Sequence, residues 1–393
     1  YLNDRKIDAD VHTVGSLGLG KSEPVVAVQM PGRNRLYCRN VSADRVHSVL
    51  DDVLHHNISF ENVLGQLPVE GCQTWKDVPF LHDLPFFAGQ TRHILDLIGV
   101  IDPASLEEYI ARGGYRDFLK SIRHYTCEEI SDIVEKSGLR GRAGSGFPTG
   151  KKWKIAYNTP ADQRYLICNA EESDPGAFMD RSIMEGNPHM LLEGMMIASY
   201  ATASSRAIIY IRSEYKVAIA ILEKAIRDLR EFGLLGHNIF GSGYNLDIAI
   251  RKGPGAFVCG EETALIRSLE GKRGMPVTKP PYPAVSGLHG SPTTINNVET
   301  LSNIPLIISK GPKWFRETGV ENNYGTKIFA ISGKAAYEGL IEVPLGTNLR
   351  EVIFDISSGC AGNKKFKAIQ LGGPSGFTLP ESDIHVPGLP RRY

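Results

Sequence analysis

Short apolar runs alternate with longer segments of helical periodicity through the middle of the chain. Apolar runs predict strands at 164–168, 205–212 and 245–251. Helices are predicted over 181–203, 217–232 and from Gly260 onward. This alternation is typical of an α/β sheet covered by helices, in which ligands bind at the carboxyl ends of the strands. Asn169 and the segment 253–257 follow strands in this manner, so both are candidate ligand contacts.

Different patterns flank this region. Residues 23–55 read as a hairpin, with strands at 23–29 and 35–39, followed by a helix that Ser42 caps. Residues 56–110 contain several prolines and are interpreted as connecting structure, and 115–137 is predicted as helix ending at Gly138. Beyond a proline-rich crossing, residues 325–380 predict a small separate β/α domain. Its predicted elements are strands at 326–332, 339–344 and 366–373 and a helix at 349–356.

Composition narrows the class of protein. A hydrophobic content of 42% and a charged content of 22% are ordinary for a soluble globular protein, and 393 residues suggest about two to three domains. Because 44 basic residues balance 44 acidic ones, nothing favours a nucleic acid or an anionic membrane as partner. The longest apolar segment, Met190–Ala203, is interrupted by polar residues and is shorter than the ~18–20 residues of a membrane helix.

The cysteines and the first residue bear on the setting of the protein. Six scattered cysteines without a C-x-x-C pair predict reduced thiols, no metal site and a cytoplasmic location. No signal peptide is visible. Because the chain begins with Tyr1, we expect a fragment or a processed chain.

The chemistry begins with a loop between Gly138 and Lys152 that holds five glycines, two arginines and two lysines. Such a loop brings backbone N–H groups and cationic side chains to the phosphate of a ligand, although a plain glycine-rich turn remains the alternative. It is not a P-loop, because Lys152 stands where that motif needs Ser or Thr, nor does its glycine spacing match G-x-G-x-x-G.

Further polar groups follow along the chain. The run Asn169–Gly176 follows a strand and suits either ribose or flavin hydrogen bonds or a simple Asp-Pro-Gly turn. Glu261 and Glu262 open a helix, where acids complement the helix dipole. Thr293–Glu299 is interpreted as an isolated polar cluster that suits phosphate contacts or a helix cap. Phe147 and Tyr282 lie in loops, where they could stack on a planar ring or pack locally.

Five ordered motifs together carry a family resemblance, which covers residues ~110–385. They are the segments 138–153, 168–176, 255–265, 279–283 and 292–300. In type and order they resemble the flavin-bearing, NADH-oxidising subunit of respiratory complex I. They also resemble the beta subunits of NAD-linked multimeric, electron-bifurcating hydrogenases and formate dehydrogenases. The resemblance implies a Rossmann-like α/β domain with helices on a mostly parallel sheet, followed by a β-grasp domain of the soluble-ligand-binding type.

The resemblance also implies domain limits. It suggests a remnant of a thioredoxin-like ferredoxin module at 1–55, a connecting segment at 56–110, the FMN- and NADH-binding domain at 111–320 and the β-grasp domain at 321–393. Ser16 and Gly20 stand where that ferredoxin module has cluster cysteines, which argues against a [2Fe–2S] centre there. The family's [4Fe–4S] cluster is expected, but its C-x-x-C-x-x-C ligands are absent from this chain.

Site residues follow from the resemblance by motif. Those implied for FMN are Gly141, Arg142, Gly144, Lys152, Asn169, Glu171, Ser173, Phe257, Gly260, Glu261, Asn296 and Asn297. Those implied for NADH are Phe147, Asp174, Glu262, Lys279 and Tyr282. Glu261 and Glu262 are the catalytic candidates, acting by hydrogen bonding and local charge. Three departures from the family pattern are Ala143 for glycine, Ile155 for an aromatic residue and Phe257 for tyrosine.

The predicted function is a flavoprotein subunit that moves hydride between NAD(H) and FMN and passes single electrons to iron–sulfur subunits, without membrane insertion. The alternatives are the same fold exchanging electrons with a ferredoxin, hydrogenase or reductase subunit, and a scaffold that has lost redox competence. A phosphate-hydrolysing enzyme is disfavoured, because no Ser or Thr is placed to hold Mg²⁺.

Overall fold

The computed structural model describes residues 1–59 and 61–384. The strands are β1 (Val26–Val28), β2 (Arg35–Cys38), β3 (Val63–Leu67), β4 (Tyr165–Ala170), β5 (Arg206–Arg212), β6 (Asp247–Gly253), β7 (Thr293–Asn297), β8 (Gly319–Val320), β9 (Asn323–Tyr324), β10 (Thr326–Ile331), β11 (Gly339–Pro344), β12 (Ala368–Leu371) and β13 (Phe377–Pro380).

Helices make up most of the remaining regular structure. The α-helices are α1 (Val46–Leu54), α2 (Pro85–Ala88), α3 (Leu106–Ala111), α4 (Arg116–His124), α5 (Cys127–Ser137), α6 (Thr149–Asn158), α7 (Met179–Gly186), α8 (Pro188–Ala201), α9 (Lys216–Glu231), α10 (Glu262–Leu269), α11 (Val298–Ser302), α12 (Ile304–Lys310) and α13 (Pro312–Arg316). Short 3₁₀ turns lie at Gly20–Ser22, Leu81–Asp83, Ile239–Gly241, Phe257–Gly260, Leu288–Gly290, Ala361–Asn363, Gly373–Ser375 and Glu381–Asp383, and a π-helical turn lies at Glu351–Ile356.

A parallel sheet of four strands in the order β6-β5-β4-β7 forms the centre of the described chain. The chain moves outward from β4 to β5 and β6 and then returns to place β7 on the other side of β4. This creates a topological switch point between β4 and β7, the usual ligand crevice of an open α/β sheet. The predicted α/β class is confirmed, and the predicted strands correspond to β4, β5 and β6.

Strand β7 corrects the interpretation of Thr293–Glu299 as an isolated polar cluster. Its first five residues pair in register with β4, from Thr293 opposite Tyr165 to Asn297 opposite Asn169. The first four of these residues are buried. A Thr-Thr-Ile-Asn-Asn run carries too little apolar character to read as a buried strand, although threonine is β-branched and favours one. The helix-cap alternative is confirmed, because Asn297 accepts a hydrogen bond from the N–H of Thr300 at 3.3 Å.

Two predicted helices are each divided in the structure. The segment 181–203 breaks between α7 and α8, where Asn187 caps the second helix and Pro188 supplies no N–H to continue the first. The segment 115–137 breaks between α4 and α5, where Thr126 and Glu129 form a capping box. Helix α5 ends at Gly138 with φ of 72°, as predicted.

Helix α8 is buried along almost its whole length. None of the helices in the described ranges is long and apolar enough to cross a membrane.

At the N-terminal end, the predicted hairpin forms from β1 and β2. Strand β3 lies in the segment interpreted as connecting structure, yet it pairs antiparallel with β2, so that interpretation is wrong for residues 63–67. The glycine within Val-Leu-Gly-Gln-Leu hides the strand pattern, because glycine weakens a strand signal. The sheet therefore crosses residue 55, where a domain limit is predicted.

At the other end, β10 pairs with β11 and β12 pairs with β13, both antiparallel. The three strands predicted here are present, and the helix predicted at 349–356 is a π-helical turn. The N-terminal segment lies along β11, since the N–H of Leu340 donates to the carbonyl of Gly18 at 2.7 Å. The domain limits stay predictions, and residues 385–393 of the last predicted domain lie outside the described residues.

Candidate functional site

The carboxyl ends of β4 and β7 bring two asparagines together across the switch point. Asn169 and Asn297 are paired in register on the adjacent strands. The Asn169 amide donates to the carbonyl of Gly260 at 2.9 Å and accepts from the N–H of Glu171 at 3.2 Å. A Cβ at Gly260 would be tolerated, since it would make an ordinary contact at 3.7 Å with the carbonyl oxygen of Glu171. The strand end, the acidic loop and the turn before α10 therefore share one crevice.

The glycine loop between α5 and α6 is closed by its own backbone. The N–H of Gly141 donates to the carbonyl of Phe147 at 3.0 Å, and Arg140 donates to the carbonyl of Gly146 at 3.1 Å. Gly144 has φ of 93°, a conformation that side chains disfavour. Ala143 lies outside the positive-φ region, so the alanine that departs from the family pattern is compatible with this backbone. The backbone at Gly144 is thus bare, since nothing lies within 4 Å of a Cβ there, whereas the Ser145 hydroxyl lies close to Gly141.

Gly150 serves a different purpose from the other glycines of the loop. A Cβ at this position would lie 2.4 Å from the backbone nitrogen of Glu135. The glycine therefore allows α5 and α6 to cross closely. This close crossing fixes where α6 begins and hence where Lys152 points.

Lys152 reaches from α6 to β7. Its Nζ donates to the carbonyl of Ile295 at 3.0 Å. Burial lowers the pKa of this lysine, Glu262 raises it and Lys279 lowers it further. Because an ammonium carries three N–H donors, the single bond to Ile295 leaves donors for an anionic ligand.

Two of the predicted FMN residues are turned toward the protein interior. The Asn296 side chain accepts a hydrogen bond from the indole of Trp153 at 2.9 Å. The Arg142 guanidinium donates to the carbonyl of Arg140 at 3.2 Å and to that of Tyr324 at 2.5 Å. Burial lowers the pKa of Arg142 to about 10. Both side chains are therefore bonded to protein groups rather than left free for a ligand. A sequence motif does not reveal which way its asparagine or arginine side chain faces.

The acidic loop after β4 holds a buried carboxylate. Ser173 donates its hydroxyl to Glu171, whose Oε2 has no partner among residues 1–59 and 61–384. Burial raises the pKa of Glu171, while Ser173 and Arg212 lower it. Its Oε1 lies 3.9 Å from the Nε of Arg212. A buried acceptor without a protein partner at the end of a strand is a fitting contact for a ligand N–H.

Arg212 and Tyr215 are site residues that the sequence analysis missed. Arg212 is the last residue of β5, and its guanidinium donates to the carbonyl of Glu172 at 2.7 Å. The Tyr215 hydroxyl donates to the same carbonyl at 3.2 Å. The rule that singled out Asn169, a polar residue at a strand's carboxyl end, would also have singled out Arg212.

Glu261, Glu262 and Lys279 form an ion cluster at the start of α10. Glu261 caps this helix by accepting from the N–H groups of Thr263 and Ala264 at 2.8 and 3.0 Å. The Nζ of Lys279 lies 3.1 Å from Glu261 and 2.6 Å from Glu262. Burial raises the pKa of Glu261, but its hydrogen bonds outweigh this and hold the pKa below the ordinary value. The two glutamates and the lysine therefore hold one another's charges in fixed positions at the start of α10.

Aromatic rings lie exposed in the loops that carry the remaining predicted residues. Phe147, Phe257 and Tyr282 are 40%, 65% and 59% exposed, so none of the three is packed into the core. Asp174 lies against the C-terminal part of the chain, because a Cβ at Gly373 would be 2.7 Å from its Oδ1. These positions leave rings and a carboxylate available to a second ligand.

Two further observations lie outside the crevice. A cavity of about 220 Å³ is lined by Ser16, Glu23, Arg181 and Glu185 between the N-terminal segment and α7. Ser16 donates its hydroxyl to Glu23 there. Within the described ranges, no group of three or more His, Cys, Asp or Glu side chains is placed to hold a metal ion.

The fold and the crevice define a class of protein, the α/β proteins that bind a cofactor at a topological switch point. Residues 134–306 match the Nuo51 FMN-binding domain. The chain is 46% identical over 293 residues to an NADH-quinone oxidoreductase subunit of Rhizobium meliloti, covering 75% of this chain and 70% of that protein. The chain belongs to the family of NADH-quinone oxidoreductase F subunits that carry the Nuo51 FMN-binding domain, as the five motifs predict.

Other relatives are longer than this chain. It is 57% identical over 288 residues to the NADP-reducing hydrogenase subunit HndC of Solidesulfovibrio fructosivorans, covering 73% of this chain and 58% of that protein. It is 52% identical over 280 residues to an NADH-quinone oxidoreductase subunit of Aquifex aeolicus, covering 71% of this chain and 65% of that protein. The chain thus spans less than two thirds of the length of these two relatives.

A solved structure is also similar. The crystal structure of an NAD⁺-reducing [NiFe]-hydrogenase in the H₂-reduced state matches with a TM-score of 0.66 and 32% identity. The match covers 95% of this chain and 58% of that one.

Proposed function

We propose that this chain holds FMN at the switch point between β4 and β7 and moves hydride between NAD(H) and FMN. The single observation that carries the proposal is the junction at the carboxyl end of β4, where Asn169 pairs in register with Asn297 and donates to the carbonyl of Gly260. Family membership supports the choice of FMN over other phosphorylated cofactors.

The residues fit FMN on three observations. Lys152 has N–H donors left for an anion. The Oε2 of Glu171 is a buried acceptor without a partner in the described part of the chain, which suits a flavin N–H. Gly260 carries no side chain, and a Cβ there would lie 3.7 Å from the carbonyl oxygen of Glu171, so the backbone can be approached closely by a ligand. We propose that the residues that hold FMN are Gly141, Gly144, Lys152, Asn169, Glu171, Ser173, Phe257, Gly260, Glu261 and Asn297.

A nicotinamide nucleotide is proposed to enter from the exposed side of the crevice. Phe147 and Tyr282 offer faces for stacking, and Asp174, Glu262 and Lys279 offer polar contacts. When bound, FMN supplies a site that takes a hydride and releases electrons one at a time. The protein orients the two ring systems at near-attack distance, and Glu261 and Glu262 set the local charge.

The partners are proposed from the relatives. We propose iron–sulfur subunits of a larger oxidoreductase as electron acceptors, a [4Fe–4S] cluster at the exit, and a cytoplasmic location peripheral to such a complex. The similarity to HndC favours a second candidate, in which the same site exchanges electrons with a hydrogenase subunit. A redox-inactive scaffold remains a possible outcome of the test that follows.

The purified protein reconstituted with FMN is expected to show a flavin absorbance band that bleaches anaerobically on addition of NADH. Hydride transfer removes the oxidised chromophore, so absorbance spectroscopy follows it directly. Failure to bind FMN would contradict the proposed function. Binding without bleaching by NADH or NADPH would identify the scaffold alternative.

Replacing Gly260 with alanine is expected to weaken FMN binding by about tenfold or more and to leave the stability of the FMN-free protein unchanged. The new methyl group has space in the protein, 3.7 Å from its nearest neighbour, but would occupy space proposed for the ring. A buried steric conflict of this size costs about 1–3 kcal/mol. Fluorescence titration of FMN and urea unfolding measure the two quantities, and unchanged FMN affinity would place the ring elsewhere.

A further inference from the structure

Behind the switch point, α7 places a buried carboxyl against the side chain of Asn297. Asp180 is the second residue of α7 and is 7% exposed. The Nδ2 of Asn297 donates to its Oδ2 at 2.5 Å. On its other side, the Oδ1 of Asn297 accepts from the N–H of Thr300 at 3.3 Å. Both the Nδ2 and the Oδ1 of the Asn297 amide are therefore held by hydrogen bonds within the protein.

These two bonds fix the orientation of the amide. A flipped amide would set its Nδ2 against the N–H of Thr300, where two donors would repel each other. An amide nitrogen carries two hydrogens, and Asp180 takes one of them. The second hydrogen remains for a ligand at the carboxyl end of β7.

We propose that Asp180 is a positioning residue, which holds the Asn297 amide so that its second N–H faces the bound FMN. The inference rests on the proposed function. It adds a residue outside the five sequence motifs that carry the family resemblance.

The charges around Asp180 decide its protonation. Glu172 accepts from the N–H groups of Asp180 and Arg181 at 3.0 and 3.1 Å and from the Tyr215 hydroxyl at 3.2 Å. Burial raises the pKa of Glu172, while these three hydrogen bonds and Lys327 lower it. From α11 and β10, Glu299 and Lys327 form an ion pair with each other. From β4, the thiol of Cys168 faces the same region.

Burial raises the pKa of Asp180 well above its ordinary value, and the charges of Glu172 and Glu299 raise it further. Lys327 and the Asn297 amide lower it. Asp180 is therefore shifted toward its protonated form relative to an ordinary carboxyl, and its Oδ2 accepts the Asn297 bond in either form. It becomes negative as the pH rises through its elevated pKa.

The test compares Asp180→Asn and Asp180→Leu in the purified protein, with FMN affinity measured by fluorescence quenching. Leucine removes the acceptor, and we expect FMN to bind about tenfold more weakly. This corresponds to about one hydrogen bond, lost because the Asn297 amide is no longer oriented. Asparagine is neutral and keeps an acceptor, so its affinity should stay within about threefold of wild type. Glu193→Gln is the matched control, since Glu193 is also a buried carboxyl but lies in α8 and bonds to Tyr109 and Phe118. It should leave FMN affinity unchanged.

A second readout separates positioning from mere structural support. The midpoint potential of bound FMN in wild type and Asp180→Asn should coincide at low pH. As the pH rises through the elevated pKa of Asp180, the wild-type potential should become the more negative of the two, because only wild type gains a charge. Equal potentials throughout this rise in pH together with equal affinity for Asp180→Leu would overturn the inference. Wild-type protein that binds no FMN would overturn the proposed function itself, and this inference with it.

Discussion

Lys152→Ala is expected to weaken FMN binding by about 30- to 100-fold, which corresponds to about 2–3 kcal/mol. The Lys152 ammonium lies within the crevice, where a charge-assisted hydrogen bond to an anionic group is stronger than at the surface. Its hydrogen bond to the carbonyl of Ile295 holds the ammonium of this α6 residue against β7 before the ligand arrives. Removing it deletes the cation and leaves that carbonyl without this donor. Equilibrium dialysis or fluorescence titration of FMN measures the loss.

Lys151→Ala is the matched control, because Lys151 is the preceding residue of the same helix and its side chain is exposed. It should change FMN affinity by less than about twofold. The pH dependence gives a further check. Since burial depresses the pKa of Lys152, wild-type affinity should fall as the pH rises toward that pKa, and Lys152→Ala should lose this fall. Equal affinities for the two alanine variants would contradict the role of Lys152.

The sequence predicted the central sheet well and its edge poorly. Strands β4 and β5 carry apolar runs, as the burial of a parallel sheet demands, and the edge strand β6 still carries Ile-Ala-Ile. Strand β7 is largely polar, and its pairing with β4 is a non-local contact that no local pattern reveals. Without β7 the switch point cannot be located, so the meeting of Asn169 with Asn297 becomes visible only in the fold.

Motifs gave the candidate site residues but not the contacts that each side chain makes. Lys152 and Glu171 keep hydrogen-bonding capacity to spare, whereas Arg142 and Asn296 are directed to Tyr324 and Trp153. The residues missed, Arg212 and Asp180, lie outside glycine- or proline-rich loops. Their placement depends on helix and strand packing, which periodicity alone does not specify.

Gly194→Ala is expected to lower the free energy of unfolding by about 3 kcal/mol, although alanine favours a helix over glycine by about 1 kcal/mol. A Cβ at Gly194 would lie 2.0 Å from the carbonyl oxygen of Leu301 and 2.8 Å from its carbonyl carbon. These are backbone atoms of α11, so the conflict cannot be relieved by a change of side-chain rotamer. Helices α8 and α11 must separate, and the buried contacts between them are lost. Urea unfolding of the FMN-free protein measures the effect.

The same substitution should also reach the cofactor site, because α11 is capped by Asn297 at the switch point. Displacing α11 moves that amide away from Asp180, so the folded fraction of Gly194→Ala should bind FMN more weakly than wild type. Gly260→Ala is the control for the urea midpoint alone, since it adds the same methyl group without a backbone conflict and should retain the wild-type midpoint. A wild-type midpoint for Gly194→Ala would show that α8 and α11 can separate at little cost. The close approach of the two helices would then not be what holds β7 and its asparagine in place.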